Sequence, residues 1–254
     1  SLRANGWSFD SVKKALKSGK MKFSGKYSEP DYEMLIDKKC KLAVESTMIY
    51  HTPEVKEAIE ELKIPVMVDR SSYETHPLGR TEWVKLYGAL TGKEEKADKF
   101  FEKQVKKIEK IKNTEKTIAF FYISTDGKAV VRRSTDYIPT MIQIAGGRYI
   151  FKNLDDKDGK TSIPMTIEKF YDVAADADYI VYNGSIDHSV RNMKELLEKD
   201  PIMKKFKAVK TGNCWRTGAS MYQRTDIVGD MIIDFNKLLT EKNPKNLKFI
   251  SKLE

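Results

Sequence analysis

The sequence predicts an α/β protein made of two Rossmann-like lobes with parallel sheets, joined by a long rigid helix. Short apolar segments alternate with amphipathic segments along most of the chain, which is the pattern of alternating strands and helices. A charged stretch at residues 93–113 carries an apolar stripe with helical spacing and contains neither glycine nor proline. We therefore predict an N-terminal lobe at residues 1–92, a linking helix at 93–113 and a C-terminal lobe at 114–254.

The predicted linking helix is long and amphipathic. At about 1.5 Å per residue it spans roughly 30 Å, close to the diameter of a small domain. Because the patterning on both sides of it is of one kind, we interpret it as a strut between two α/β lobes. The alternative is a long helix inside a single domain. The apolar stripe consists of Ala97, Phe100, Phe101, Val105, Ile108 and Ile111.

The first half of the chain contains one βαβ unit. Strands are predicted at residues 42–45 and 64–69, with a helix between them that begins at Pro53, the favoured first-turn position. The two strands should be parallel neighbours. A third strand at residues 22–24 is the only other candidate, so we expect the first lobe to be partial and to lack N-terminal strands. Further helices are predicted at residues 9–17, 30–38 and 81–90.

The second half of the chain shows a fuller alternation of strands and helices. Residues 117–124 form an apolar strand, and the Asp126-Gly127 turn indicates that residues 129–134 pair back on it as a hairpin. We interpret the polar run at residues 152–162 as a surface loop. Further strands are predicted at residues 148–151, 179–182 and 208–215, and helices at 136–145, 166–175, 190–199 and 226–239.

Composition bounds the classes of function. The chain is 40% hydrophobic and 33% charged, with no apolar run long enough to span a membrane. The net charge is +9, from 46 basic and 37 acidic residues, but the lysines are interleaved with glutamates, as on a solvated helix face. We therefore expect no nucleic-acid partner. Cys40 and Cys214 lack zinc-site spacing, and three scattered histidines do not indicate a metal centre, so we predict no bound metal.

The candidate ligand site follows from where the predicted strands end. In an open α/β sheet the ligand lies beyond the carboxyl ends of the strands, where this chain carries aromatic, hydroxyl and guanidinium side chains. Such groups suit a bulky, partly anionic, π-rich ligand in a cleft between the two lobes. The candidate ligand-binding residues are Thr47, Tyr50, His51, Tyr73, Arg132, Arg133, Tyr137, Trp215, Arg216, Tyr222 and Arg224.

Roles within this set follow from side-chain chemistry. The arginines are predicted anion anchors, because a planar guanidinium binds anionic groups with two parallel hydrogen bonds. Arg132 and Arg133 are consecutive on a strand and point to opposite faces, so at most one of them should reach the ligand. Tyr50, Tyr137, Trp215 and Tyr222 are predicted stacking walls. Met48, His51 and Met221 are of the types that can ligate haem iron, although methionine more often fills a core and a lone histidine more often only forms hydrogen bonds.

Four segments resemble a known family. They are IPVMVDRSSYETHPLGRTEWVKLYGALTGKEEKADKF (residues 64–100), AGGRYIF (145–151), TIEKFYDVAADADYIVY (166–182) and GNCWRT (212–217). Together they resemble the helical-linker class of ABC-transporter substrate-binding proteins, which capture siderophores, haem or cobalamin between two lobes. The resemblance covers nearly the whole chain, but strands that normally begin family members are not found here.

The resemblance implies capture and delivery, not catalysis. By analogy the chain would be the extracytoplasmic solute-binding component of an ABC importer, a periplasmic protein or a cell-surface lipoprotein whose lipid anchor lies outside this chain. The implied ligand is a metal chelate, with no cofactor, and a monomer is expected. Family members dock on their permease through one carboxylate on each lobe. Glu82 and Glu168 match by position, near predicted helix starts, although the helix dipole alone also favours glutamate there.

Two other classes of function remain open at this point. An enzyme of the same architecture, such as a metal-tetrapyrrole chelatase, would need an acid/base pair, for which His51 with Glu45 or Glu74 is conceivable. The third is a basic nucleic-acid-binding module, whose affinity would fall steeply with salt. No recognition motif in the sequence supports it.

Overall fold

The computed structural model describes residues 6–155 and 160–254, and it divides into two compact units, residues 1–74 and 75–254. Both units contain strands and helices, so the predicted α/β class is confirmed. The strands in these residues are β1 (Gly25–Lys26), β2 (Glu29–Pro30), β3 (Ala43–Ser46), β4 (Val66–Asp69), β5 (Thr117–Ile123), β6 (Ala129–Arg132), β7 (Arg148–Tyr149), β8 (Ser162–Met165), β9 (Tyr179–Tyr182), β10 (Cys214–Thr217) and β11 (Ile250–Lys252).

Helices of the described residues alternate with these strands, and none is long and apolar enough to cross a lipid bilayer. They are α1 (Asp10–Lys17), α2 (Tyr32–Asp37), α3 (Pro53–Glu61), α4 (Pro77–Glu82), α5 (Val84–Leu90), α6 (Glu94–Ile108), α7 (Tyr137–Ile144), α8 (Ile167–Ala174), α9 (Met193–Lys199), α10 (Lys207–Lys210) and α11 (Val228–Thr240).

The first unit is built on the predicted βαβ unit. Strands β3 and β4 are parallel, in register from Ala43 opposite Val66, and helix α3 connects them. Ile49, Val55 and Ile59 are the centre of a small core beside this sheet. The predicted strand at residues 22–24 is wrong, because the chain instead forms the short hairpin of β1 and β2.

The second unit is organised around a mixed sheet. In the described residues its order is β11-β10-β9-β5-β6-β8, and β7 also pairs with β5. The centre, β10-β9-β5, is parallel, whereas β6, β8 and β11 pair antiparallel. The predicted hairpin of residues 117–124 with residues 129–134 is confirmed. The central parallel strands agree with the predicted Rossmann-like sheet, and β8 and β11 add antiparallel outer strands that the sequence did not indicate.

Strands β8 and β11 were not predicted. Strand β8 begins at the end of the segment interpreted as a surface loop, and residues 156–159 of that loop lie outside the described residues. Both strands are outer members of the sheet and partly exposed, so neither has the continuous apolar pattern of a central strand.

The long helix α6 lies within the second unit and packs along α5 and α11. The close approach to α11 needs Gly229, where an added Cβ would lie 2.7 Å from the backbone oxygen of Gln104. Lys107 forms an ion pair with Asp230 across the same contact. The helix is shorter than predicted, and its role as a strut between two lobes, with the associated domain boundaries, stays a prediction.

The core of the second unit contains a cluster of phenylalanine rings beneath helix α8. Phe170 is fully buried, and its ring centroid lies 4.3 Å from that of Phe121, 5.4 Å from that of Phe206 and 5.9 Å from that of Phe151. These rings come from strand β5, helix α8 and two loops. The cluster therefore holds together one face of the sheet and the elements that cover it.

The two thiols should differ in reactivity. Cys214 is fully buried in β10, and burial raises the pKa of its thiol to about 12, whereas Cys40 is half-buried. Because the thiolate is the nucleophile, we expect Ellman's reagent at pH 8 to modify Cys40 in the native protein and both cysteines in guanidinium. Mass spectrometry of the modified peptides identifies the site. Rapid native modification of Cys214 would contradict its placement in the core.

Candidate ligand-binding site

The strand register in the large sheet of the second unit places Arg132 and Asn183 on the same face. Phe121 of β5 is paired with Val131 of β6 on one side and with Tyr182 of β9 on the other. Because side chains alternate between the two faces of a strand, the residues that follow, Arg132 and Asn183, both project from the face opposite Phe121. Strands β6 and β9 thus bring a guanidinium and an amide to the same face of the sheet.

Two arginines and two tyrosines meet on this face. Arg80 stacks on Tyr137, with its guanidinium carbon 3.6 Å from the ring centroid. Arg132 lies over Tyr222 at 5.6 Å, and the two tyrosine rings are in edge contact at 6.3 Å. We call Arg80, Arg132, Tyr137 and Tyr222 the arginine–tyrosine cluster. Planar cations and aromatic faces are the chemistry that binds anionic π systems. Tyr137 is only 1% exposed, so it supports the Arg80 guanidinium and its placement does not support a stacking wall at Tyr137.

Arg132 is held by a buried ion pair. Its Nε lies 2.8 Å from Oδ2 of Asp136, and the two side chains are 16% and 5% exposed. The N–H is not directed at that oxygen, so the contact is an ion pair without a well-formed hydrogen bond. Arg132 also donates a hydrogen bond of 2.7 Å from Nη1 to the hydroxyl of Ser162. Arg132 therefore has partners within the protein that limit its freedom to bind a ligand.

Burial keeps the phenols of the cluster neutral. It raises the pKa of Tyr137 strongly and raises the pKa of Tyr222 as well, against the opposing effect of the nearby arginines. Burial lowers the pKa of Arg80, and the like charge of Arg132 adds to this effect. Because the ordinary arginine pKa is far above neutrality, both guanidinium groups remain charged. The cluster with Asp136 thus carries two positive charges and one negative charge.

Hydrogen bonds fix the tyrosines of the cluster only in part. The side-chain amide of Asn183 donates to the hydroxyl of Tyr222 at 3.0 Å. The Tyr137 hydroxyl and Oδ1 of Asn183 are buried and have no hydrogen-bond partner among the described residues. Buried polar groups are normally paired, so these two atoms leave hydrogen-bonding capacity for a ligand group or for water.

Arg80 and Asn183 were not among the predicted site residues. Arg80 was missed because the predicted helix began at Thr81, whereas α4 begins at Pro77. The buried hydroxyl of Thr81 donates to the backbone oxygen of Thr225 at 2.7 Å, which anchors α4 beside the turn that carries Tyr222. Proline at the first helical position is the sequence signal that would have placed Arg80 on a helix.

The first unit carries a separate group of candidate residues after β3 and β4. The guanidinium carbon of Arg70 lies 5.8 Å from the ring centroid of Tyr50 and 5.8 Å from that of Tyr73. We call these three residues the Arg70 patch. Thr47 lies beside it, with its hydroxyl 3.4 Å from that of Ser72. Sequence reasoning proposed Thr47, Tyr50 and Tyr73 but missed Arg70, although Arg70 directly follows a strand.

The other predicted arginines lie outside the arginine–tyrosine cluster. Arg224 is paired with Asp226 through two contacts of 3.0 and 3.3 Å, which satisfies much of its charge. Nε of Arg133 lies 3.7 Å from an oxygen of Asp155. Arg132 and Arg133 therefore have different partners.

Arg216 and Trp215 lie on strand β10. The Arg216 side chain lies against Gly184, where an added Cβ would be 2.9 Å from its Nε. Trp215 is only 7% exposed and belongs to the core, with no hydrogen-bond partner for its indole nitrogen among the described residues. This placement does not support a stacking wall at Trp215.

The predicted haem-ligand types are dispersed. Met48 and His51 are exposed in the 3₁₀ turn after β3, whereas Met221 is 1% exposed in the core of the second unit. A group of three or more histidine, cysteine, aspartate or glutamate side chains suited to a metal ion is absent from the described residues.

The proposed docking glutamates differ in their surroundings. Glu168 is exposed in the first turn of α8, as predicted. Glu82 is the last residue of α4 and stands two residues before the start of α5 at Val84, and it pairs with Lys85 at 3.1 Å. Both carboxylates are exposed, and their docking role stays a prediction.

Comparison with known proteins identifies the family. Residues 7–220 match the family described as periplasmic binding protein, and this chain belongs to that family. It is 30% identical over 237 residues to an uncharacterized lipoprotein of Methanocaldococcus jannaschii, covering 89% of this chain and 54% of the relative. A second uncharacterized lipoprotein of the same organism is 28% identical over 73% of this chain and 49% of the relative. The chain thus spans about half the length of these curated relatives.

Solved structures with low sequence identity share the fold. The periplasmic haem-binding protein HutB of Vibrio cholerae superposes with a TM-score of 0.69 at 16% identity, covering 88% of this chain and 86% of that protein. The periplasmic vitamin B12-binding protein BtuF of Vibrio cholerae gives 0.60 at 13% identity, with 91% and 88% covered. At these identities the similarity describes the fold.

Proposed function

We propose that this chain is the solute-binding component of an ABC importer and that its solute is an anionic metal chelate such as a ferric siderophore or haem, or a cobalamin-like macrocycle. The arginine–tyrosine cluster is the observation that carries this proposal. It places two guanidinium groups against two aromatic rings on one face of the sheet, and the single carboxylate of Asp136 leaves one positive charge in excess. An anionic, ring-bearing solute matches this charge and these surfaces.

Membership of the periplasmic binding protein family supports capture and delivery in place of catalysis. The names of structural neighbours include haem and vitamin B12 binding, which supports a metal chelate as solute. The curated relatives are named lipoproteins, so we place this chain outside the cytoplasm, in the periplasm or anchored at the cell surface. Glu82 and Glu168 are the proposed contacts with the permease.

The first test is the absorption spectrum of the purified protein, followed by thermal unfolding with ferric siderophores, haemin and cyanocobalamin. A solute that binds only the folded protein, at about 100 times its dissociation constant, stabilises that protein by about 2.7 kcal/mol. We expect at least one of these compounds to raise Tm in a concentration-dependent way. If every compound leaves Tm unchanged, the proposed function is wrong.

Truncation within the arginine–tyrosine cluster should weaken binding of the same solute. We expect Arg80→Gln and Tyr222→Ala each to lower affinity about tenfold, because each removes a cationic or aromatic surface that faces the ligand. Isothermal titration calorimetry measures the change. Arg148→Gln is the matched control, since Arg148 is an exposed arginine of the same unit paired with Glu115. If Arg80→Gln and Tyr222→Ala bind the solute as tightly as the control does, the arginine–tyrosine cluster is not part of the binding site.

A further inference from the structure

The Arg70 patch places a guanidinium beside two exposed aromatic rings. Tyr50 is 46% exposed and Tyr73 is 59% exposed, so both rings are accessible to a solute. Arg70 is also exposed, and its guanidinium lies over both rings. Its guanidinium is equally distant from both rings. A cation in this setting is available to an external anion.

The fold of the first unit holds this patch in place. Parallel pairing of β3 and β4 ends at Ser46 opposite Asp69, so the turns that follow the two strands are neighbours. The first turn carries Tyr50, and the second carries Arg70 and Tyr73. Within the second turn, the backbone nitrogen of Tyr73 donates to the oxygen of Arg70 at 2.8 Å. The three side chains are therefore arranged by backbone structure of the same unit.

The chemistry of the patch selects between classes of chelate. Two aromatic faces favour a flat or conjugated group, and a guanidinium between them favours negative charge on that group. An uncharged aliphatic chelate offers neither feature, and a large uncharged macrocycle lacks the anion. Accepting the proposed function, we infer that Arg70, Tyr50 and Tyr73 form a specificity-determining element that selects chelates whose aromatic or conjugated rings carry ionised groups.

The test compares four compounds by calorimetry with the wild-type chain. Ferric enterobactin and haemin are anionic and aromatic or conjugated, ferrichrome is an uncharged aliphatic chelate, and cyanocobalamin is a large macrocycle without ionised carboxylates. We expect one of the anionic compounds to bind at least about tenfold more tightly than either of the others. A wild-type preference for ferrichrome or cyanocobalamin would overturn the inference and leave the proposed function standing. If none of the four binds, the proposed function fails with it.

Variants of the patch then identify the residues responsible. Arg70→Gln should lower affinity for the preferred anionic compound about tenfold and leave any binding of ferrichrome unchanged. The affinity of Arg70→Lys for the anionic compound should lie between those of the wild type and Arg70→Gln, because lysine keeps the charge and loses the planar guanidinium. Tyr50→Phe should bind normally and Tyr50→Ala weakly, since the ring, not the hydroxyl, is the proposed contact.

Arg191→Gln is the matched control for Arg70→Gln. Arg191 is an exposed arginine of the second unit that pairs with Glu195, and its replacement should not change affinity. Arg70 is exposed, so its variants should fold, which a wild-type Tm confirms. Equal affinities of Arg70→Gln and Arg191→Gln for the anionic compound would overturn the inference.

Discussion

Replacing Asp136 with asparagine is expected to lower the free energy of unfolding by about 3–5 kcal/mol, because it leaves the buried guanidinium of Arg132 without its counter-charge. The Asp136 side chain is 5% exposed and that of Arg132 is 16% exposed, so water cannot replace the lost carboxylate. Asparagine keeps the size of the side chain, and the loss therefore reports charge. Chemical denaturation in urea measures the change.

Two further variants separate charge from packing at this pair. Glu115→Gln removes the carboxylate of an exposed ion pair with Arg148 and should leave stability close to wild type. Arg132→Met combined with Asp136→Asn removes both charges and should recover part of the lost stability, since buried pairs are often replaceable by apolar groups. If Asp136→Asn unfolds at the wild-type urea concentration, the pair is solvated and the described geometry of the cluster is wrong.

Replacing Phe170 with alanine should lower the free energy of unfolding by about 3–5 kcal/mol, the range for large aromatic residues truncated in a core. Phe170 is fully buried and contacts the rings of Phe121, Phe151 and Phe206. Removing its ring leaves a cavity lined by side chains that the sheet and the covering loops hold in place. Thermal or urea denaturation gives the value.

Val173→Ala provides a control on the same helix as Phe170. Val173 is 42% exposed on α8, so its truncation should change stability by less than about 0.5 kcal/mol. Both variants alter the same helix, and comparing them isolates the contribution of the ring cluster. A loss below about 1 kcal/mol in Phe170→Ala would show that the cavity collapses or that the core is loosely packed.

Strands β5 and β9, buried on both faces, were predictable from the sequence, whereas the strand predicted at residues 208–215 is wrong at its start, because residues 207–210 form helix α10 and β10 begins at Cys214. Strand β9 has the predicted bounds, and β5 ends one residue earlier than predicted, because both are continuous apolar runs next to turn signals. Strand β11 is a three-residue outer strand, too short for a periodic pattern. Apolar runs in the sequence therefore identify central strands, whereas short outer strands leave no pattern from which their pairing could be predicted.

Residues of the candidate site were predictable only where they follow the carboxyl end of a strand. That rule selected Tyr137 and Tyr222, which the fold brings into contact. It could not place Arg80, which reaches the cluster from a helix far away in the sequence. It also proposed Trp215, because nothing local to strand β10 reveals that the face carrying this residue is covered. The pairing of Arg224 with a carboxylate two residues later was visible in the sequence and was overlooked.

Strand β8 has a consequence for self-association. The backbone nitrogen of Arg133 donates to the oxygen of Thr161, and Val130 lies opposite Pro164. Since hydrogen-bonded pairs alternate along antiparallel strands, the nitrogen of Pro164 is turned away from β6, towards the open side of the outermost strand in the described sheet. Proline has no N–H, so the outer edge of β8 lacks one backbone hydrogen-bond donor. A strand of another molecule therefore pairs poorly with this edge, which disfavours aggregation through it.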